Sequence, residues 1–149
     1  MKKKVLITGS EGFIGQHLIK FLSKKSLLIF ACHYKKIERI KSRNISYHLC
    51  DVRKKNNVKN VIKKIKPDII YHLAAKSLPS FSFNFPIETI ETNLIGTLNI
   101  LESCRKLRLN PKIIIACSSG QFGSKPLNQL PFKETFNQEP DHLYGLSKK

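Results

Sequence analysis

The stretch KVLITGSEGFIG at positions 4–15 constrains this chain more than any other. The apolar run Val5, Leu6, Ile7 breaks at Thr8-Gly9, and glycines recur at Gly9, Gly12 and Gly15. From there the apolar spacing becomes helical through Phe13, Ile14, Leu18, Phe21 and Leu22. That order predicts a buried strand, a glycine turn and a helix over about residues 13–25.

An ordinary strand-to-helix turn would explain glycines alone, but this order also suits the pyrophosphate of a dinucleotide. The anion reaches the unpaired N–H groups and the positive dipole end of a helix only where no Cβ intervenes. On this reading Gly9 permits the tight turn, Gly12 the close approach of phosphate, and Gly15 the packing of helix on strand. The spacing G-x-x-G-x-x-G carries one more residue in the turn than the commoner G-x-G-x-x-G.

A second apolar run, 27–31, leads into Cys32-His33-Tyr34-Lys35-Lys36. An NAD-binding fold places an acidic residue after this strand to hold the ribose hydroxyls. None occurs here before Glu38, and cations stand in its place. That favours the extra phosphate of NADP(H) over the bare hydroxyl of NAD(H), with His33 and Lys35 as donors. General basic background would account equally for the lysines.

A third strand, 45–50, ends in Asp51-Val52, where the carboxylate is placed either to accept from an adenine amino group or to cap the next helix. That helix runs to about residue 66 and stops at Pro67. A fourth strand, 68–73, continues into Leu73-Ala74-Ala75, small enough for a cofactor to lie close to the backbone, and His72 reads as a strand residue packed in the core. Residues 86–109 have helical spacing with Ile87, Ile90, Leu94, Leu98, Leu101 and Leu107 on one face, interrupted by Asn93 and Gly96. A fifth strand, 113–116, ends in Cys117-Ser118-Ser119. Strands alternating with long connections predict an α/β chain, a doubly wound parallel sheet forming one dinucleotide-binding domain over 1–149.

Beyond the last strand comes Tyr144-Gly145-Leu146-Ser147-Lys148. Residues at i and i+4 share a helix face, and an ammonium one turn from a phenol favours the phenolate, the form that accepts a proton. Coming after a glycine turn and a strand-end serine, this pattern reads as a catalytic pair.

The formal net charge of +17 is concentrated early: 18 Lys/Arg against 3 Asp/Glu through residue 66, then 9 against 7. An anionic partner fits that asymmetry. Aromatic-basic interleaving, zinc-finger spacing and RNA-binding signatures are absent, so a Lys-rich solvated surface is favoured over specific nucleic-acid binding. Four separated cysteines give neither a metal site nor a disulfide framework. No stretch has the length of a membrane span. A cytoplasmic, reduced protein is the plain expectation.

The segments TGSEGFIG, CDV, HLAA, ETNLIGTLNILE, ACSSGQFG and YGLSK resemble, in content and order, the extended short-chain dehydrogenase/reductases, the NAD(P)-dependent nucleotide-sugar epimerases, dehydratases and reductases. The resemblance covers essentially the whole chain. It implies a Rossmann-type fold with Gly9, Gly12 and Gly15 on the pyrophosphate, the backbone of Phe13 and Ile14 beside it, and Asp51 and Val52 on the adenine. Leu73, Ala74 and Ala75 would line the ribose and nicotinamide side, and Asn93 would fix the cofactor. It further implies Tyr144 as base or acid at a sugar hydroxyl and Ser118 donating to the same oxygen. Lys148 would hold the nicotinamide ribose and favour the phenolate, with hydride passing at sugar C4.

Members that eliminate water carry acidic residues directly after the catalytic Ser/Thr; here those positions are Ser119 and Gly120. Epimerase or 4-keto reductase therefore ranks above 4,6-dehydratase. A non-catalytic NADP-binding module is the alternative of another class. Relatives continue well beyond the position of Lys149, so the expectation is a fragment truncated before the substrate domain, able at best to bind cofactor. Homodimerisation through the 86–109 helix and the Tyr144 helix is a further implication of the resemblance.

Overall fold

Strand β1 (Lys3–Thr8) is buried on both faces, with Val5, Leu6, Ile7 and Thr8 each at most 1 % exposed. A strand so enclosed needs a neighbour on each side and a layer above and below it. In the computed structural model, which describes residues 2–34, 40 and 42–149, it has all four. Strand β2 (Leu27–His33) runs parallel to it on one side, Val5 opposite Ile29, and β4 (Ile69–His72) on the other, Val5 opposite Ile69. Strands β3 (Ile45–Leu49) and β5 (Lys112–Ile115) complete a parallel sheet of order β3-β2-β1-β4-β5. The order reverses at β1, which is where ligands bind in open α/β sheets.

Alternation along β1 splits the core in two. Val5 and Ile7 join Ile19 and Leu22 of helix α1 (Phe13–Leu22), with Ile29 and Ala31. Leu6 joins the opposite cluster, containing Ile70 and the apolar faces of α2 (Lys55–Ile65) and α5 (Gly96–Lys106). In α2, Val58, Ile62 and Ile65 are buried at spacings of four and three, and Lys63 and Lys64 stand in the last turn, where cations favour the dipole. Lys66 then takes φ 51°, its N–H donating to the Ile62 carbonyl at 2.8 Å, and Pro67 ends the helix.

The face that helical periodicity picks out over 86–109 is largely exposed. The region forms α4 (Pro86–Ile90), a π-helical stretch at Glu91–Ile95 and α5. Ile87, Leu94, Leu98 and Leu101 are exposed, while Thr89, Asn93, Asn99, Ser103 and the small Gly96 are buried. On α5, Asn99 and Ser103 share the inner face with Ile100 and Cys104 because hydrogen bonds are made there: Asn99 Nδ2 donates to the carbonyls of Val52 (2.9 Å) and Arg53 (3.1 Å).

The chain forms two compact units, 1–74 with 95–115, and 75–94 with 116–149. The sheet lies wholly in the first. The second contains α3 (Pro79–Asn84), α4, turns of 3₁₀ helix at Ser119–Phe122 and Leu127–Gln129, and the short α6 (Leu143–Leu146). Phe122 stacks on Phe132 within it at 5.2 Å between ring centroids.

Candidate functional site

In the first unit the glycine turn closes as its spacing requires. Gly9 has φ 67°, and a Cβ there would lie 2.6 Å from the Ala74 nitrogen and 2.7 Å from the Leu73 carbonyl carbon. A Cβ on Gly15 would strike the Gly9 carbonyl oxygen and lie 2.9 Å from Ser10 Cα, so α1 sits directly on the turn. At Gly12 a Cβ would meet only the Gly9 oxygen, at 3.3 Å, leaving the outer side open. Gly12 is the helix N-cap and supplies no side-chain cap. The N–H groups of Phe13, Ile14 and Gly15 have no carbonyl four residues back within the helix, and the Phe13 and Ile14 side chains are exposed. Two polar atoms of the turn, Ser10 Oγ and Glu11 Oε2, are buried without a hydrogen-bond partner among the described residues. Open backbone donors, a cradle that a Cβ would fill and orphaned polar atoms fit a dinucleotide pyrophosphate and its ribose.

Leu73 and Ala74 come directly after β4 and are tied to β1: Leu73 N–H donates to the Thr8 carbonyl and Ala74 N–H to Thr8 Oγ1, both at 3.3 Å. Thr8 Oγ1 also lies 2.7 Å from His72 Nδ1, and His72 Nε2 lies 3.1 Å from Thr97 Oγ1. His72 is thus a buried strut between β1, β4 and α5. Ala75 begins the second unit.

At the end of β2, the His33 ring stands edge-on to Tyr47 at 6.4 Å, and Lys35 lies outside the described residues. The carboxylate missing from the sequence after β2 is supplied in space by Glu11, whose Oε1 accepts the Tyr34 N–H at 3.1 Å. Asp51 does not cap α2, whose N-cap is Lys54. Its Oδ1 accepts from the backbone N–H and Nε of Arg53, both at 3.0 Å, and its Oδ2 from Nη2 at 2.9 Å. The Arg53 guanidinium covers the Tyr34 ring at 4.9 Å. Its hydrogen bonds hold the Asp51 carboxyl below its ordinary range against the opposing effect of burial, and Asp51 raises Arg53 in return. Val52 is buried, its carbonyl held by Asn99.

In the second unit, Ser118 Oγ accepts the Gly120 N–H at 3.1 Å and so starts the turn Ser119–Phe122. Helix α6 rests on that turn because Gly145 has no side chain: a Cβ there would strike the Gly120 carbonyl oxygen. His142 caps α6, its Nδ1 accepting the Gly145 N–H at 2.9 Å, and its ring stacks at 6.0 Å and 11° on that of Tyr144. The last turn tightens, Lys148 N–H bonding to the Gly145 carbonyl three residues back. Lys148 Nζ donates to the Ala116 carbonyl at 2.9 Å, and burial lowers its pKa, with Cys117 working the other way. Asn93 Oδ1 accepts the Lys76 N–H at 2.8 Å, and its Nδ2 donates to the Lys76 carbonyl (3.1 Å) and Ser147 Oγ (2.8 Å). Its amide therefore ties the chain after β4 to α6.

The family described as GDP-mannose 4,6 dehydratase matches residues 6–149. The chain belongs to that family. Its place among the extended short-chain dehydrogenase/reductases, implied by the motifs, is thereby established. Within the family, the UDP-glucose 4-epimerase of Mycoplasma genitalium is 29% identical over 99% of this chain and 45% of its own length. The UDP-N-acetyl-alpha-D-glucosaminuronate decarboxylase of Bacillus cytotoxicus is 33% identical over 100% of this chain and 44% of its own. Among solved structures, the UDP-glucose 4-epimerase of Thermus thermophilus, determined in complex with NAD, superposes with a TM-score of 0.85 at 28% identity, covering 97% of this chain and 47% of that one. The chain spans a little under half the length of each.

Glu11, Arg53, Asn99, His142 and Ser147 escaped the sequence reading of this family member. None lies in a spacing that marks chemistry: each acts by closing a contact between segments far apart in the chain or by capping a turn.

Proposed function

We propose that this chain is the cofactor-binding part of an NAD(P)-dependent nucleotide-sugar epimerase or 4-keto reductase acting at sugar C4. The observation that carries the reading is the seating of Gly145 against the Gly120 carbonyl, which draws the Tyr144 helix onto the Ser118 turn in one unit. Motif order and the activities of the relatives support it. A bound nicotinamide would supply the hydride chemistry at sugar C4. Tyr144 takes the proton from the C4 hydroxyl and gives it back. Ser118 Oγ already accepts from Gly120, leaving its own proton to donate to the same oxygen. Lys148 commits one of its three donors to Ala116, so two remain for ribose hydroxyls.

Ser119 and Gly120 offer no proton-transferring side chain suited to dehydration. Of the nearby acids, Asp141 is held by Ser124, and Glu139 pairs with Lys125. Epimerisation or reduction remains ahead of 4,6-dehydration. The expected preference for NADP(H) rests on His33 and Lys35, whereas Glu11, brought to the end of β2, argues for NAD(H). Exposed apolar residues of the 86–109 stretch, Ile87 and Leu94 in one unit and Leu98 and Leu101 in the other, are proposed to meet a second copy of the protein.

Calorimetric titration of the chain with NAD and NADP tests the reading. Binding of either is expected, lost in Gly12→Asp and retained in Tyr144→Phe. In a polypeptide joining this chain to a substrate-binding part, Tyr144→Phe abolishes turnover with cofactor affinity unchanged. Full turnover by that variant, or binding by Gly12→Asp equal to that of the parent, would overturn it.

A further inference from the structure

Because the five strands run parallel, their amino ends share one edge of the sheet, opposite the glycine turn that follows β1. Cations collect along that edge. Lys3 opens β1, Lys25 and Arg43 stand two residues ahead of β2 and β3, Lys66 stands three ahead of β4, and Lys112 opens β5 after Arg108. All six are exposed and belong to the first unit, and none forms an ion pair among the described residues. In the connections that line the edge, 23–26, 42–44, 66–68 and 107–111, the single carboxylate is Asp68, which accepts the Lys4 backbone N–H at 2.7 Å. Two of the cations stand where a side chain is least at ease. Lys66 (φ 51°) and Arg108 (φ 53°) take the left-handed conformation just past α2 and α5. After α5, Leu109 N–H closes on the Cys104 carbonyl at 3.0 Å and Arg108 N–H on that of Arg105 at 3.1 Å, a helix ending that glycine makes without steric cost. The dipoles of both helices already have cations in their last turns, Lys63 and Lys64 in α2 and Arg105 and Lys106 in α5. Ending a helix therefore does not account for Lys66 or Arg108. Helix α1 finishes at the same edge, where Phe21 is 60% exposed and Lys25 Nζ lies 5.4 Å from its ring centroid.

We infer that this edge of the sheet docks on an anionic bilayer surface, its cations against lipid headgroups and Phe21 at the interface. A row of exposed cations gains from an anionic leaflet charge by charge, because mobile lipids gather under each one. An exposed aromatic ring beside such cations settles at the boundary of headgroups and acyl chains. A nucleic-acid duplex would use the same cations for phosphate contacts and leave Phe21 idle. The connections of the edge carry no aromatic residue, so no run of stacking platforms is present for a single strand either. Docked in this way, the glycine turn at the other edge of the sheet faces away from the bilayer.

The test is co-sedimentation of the chain with phosphatidylserine-containing vesicles and with pure phosphatidylcholine vesicles, beside a titration with a short DNA duplex. Binding to the anionic vesicles and not to phosphatidylcholine is expected, weakening as salt is raised. The double variant Lys66→Gly, Arg108→Gly relieves both left-handed positions, so the fold is kept. Its vesicle affinity is expected to fall by at least about tenfold, at about fivefold for each cation removed from the surface. Phe21→Ser is expected to weaken vesicle binding and leave duplex binding as it was. The control Lys54→Gln, Lys55→Gln removes as many exposed charges from the start of α2, at the other edge of the sheet, and is expected to leave vesicle affinity nearly unchanged. An equal loss in that control would overturn the inference, since net charge and not this edge would then be responsible. So would a folded chain that ignores the anionic vesicles. Tighter binding to the duplex than to the vesicles, with Phe21→Ser affecting neither, would overturn it as well and assign the edge to nucleic acid.

Discussion

Asn93 Nδ2 donates to Ser147 Oγ at 2.8 Å, and that hydroxyl donates in turn to the carbonyl of Tyr144 at 2.8 Å. A buried amide 54 residues upstream of Ser147 therefore holds, through that hydroxyl, the peptide unit of the proposed proton-transfer residue. The same amide closes both backbone groups of Lys76. Through Ser147, the Asn93 amide fixes the backbone position of the α6 helix that carries Tyr144.

Replacing Asn93 by alanine strands the Lys76 N–H and carbonyl and releases Ser147. Leaving buried polar groups unsatisfied costs about 1–3 kcal/mol each. Hydrogen exchange is expected to accelerate at the amides of residues 145–148, with little change at β1. Unchanged protection of α6 would mean that the Gly120–Gly145 contact holds it alone.

The two glycines that open α1 should respond in opposite ways to the same methyl group. Gly15→Ala forces a Cβ onto the Gly9 oxygen and Ser10, so stability is lost, by about 1–3 kcal/mol for an overpacked site. Gly12→Ala adds its Cβ on the open side, beside the Gly9 oxygen alone, and leaves the urea midpoint nearly unchanged while weakening dinucleotide binding. Urea titration and calorimetry on the same two samples separate the effects. A midpoint equally lowered in both would show that Gly12 is structural.

The sheet was legible because its determinants are local: Val5, Leu6 and Ile7 announce a strand buried on both faces, and the glycines after them announce the turn into α1. The inner face of α5 was not, because burial there is decided by hydrogen bonds to a distant segment, Asn99 to Val52 and Arg53, which outrank apolar periodicity. Glu11 was missed for a related reason. Sequence order places the expected acid after β2, while the fold brings one there from the preceding turn.

Asn99 gives that explanation a direct test. Asn99→Leu keeps the size of the side chain and adds apolar surface to a helix already lined by Ile100 and Cys104, so periodicity alone predicts a gain. The carbonyls of Val52 and Arg53 would lose their donor, and a loss of about 1–3 kcal/mol is expected instead. The urea midpoint decides between the two signs.

The pair Asp51–Arg53 sets the acid limb of stability. Hydrogen bonding from Arg53 lowers the folded-state pKa of Asp51 below its ordinary 3.8, so in acid the unfolded chain binds the proton more readily than the folded one. Stability from this pair is fully present above that ordinary value and is lost as pH falls through the folded-state pKa. Asp51→Asn removes the titrating group at nearly constant shape, leaving Arg53 over the Tyr34 ring. The variant is expected to be less stable at neutral pH and to lose less on acidification, so that the two denaturation midpoints converge as pH falls through the folded-state pKa of Asp51. Parallel curves from pH 7 to pH 2 would show that Asp51 contributes nothing to acid unfolding, and would leave its carboxylate as a ligand group held ready by Arg53.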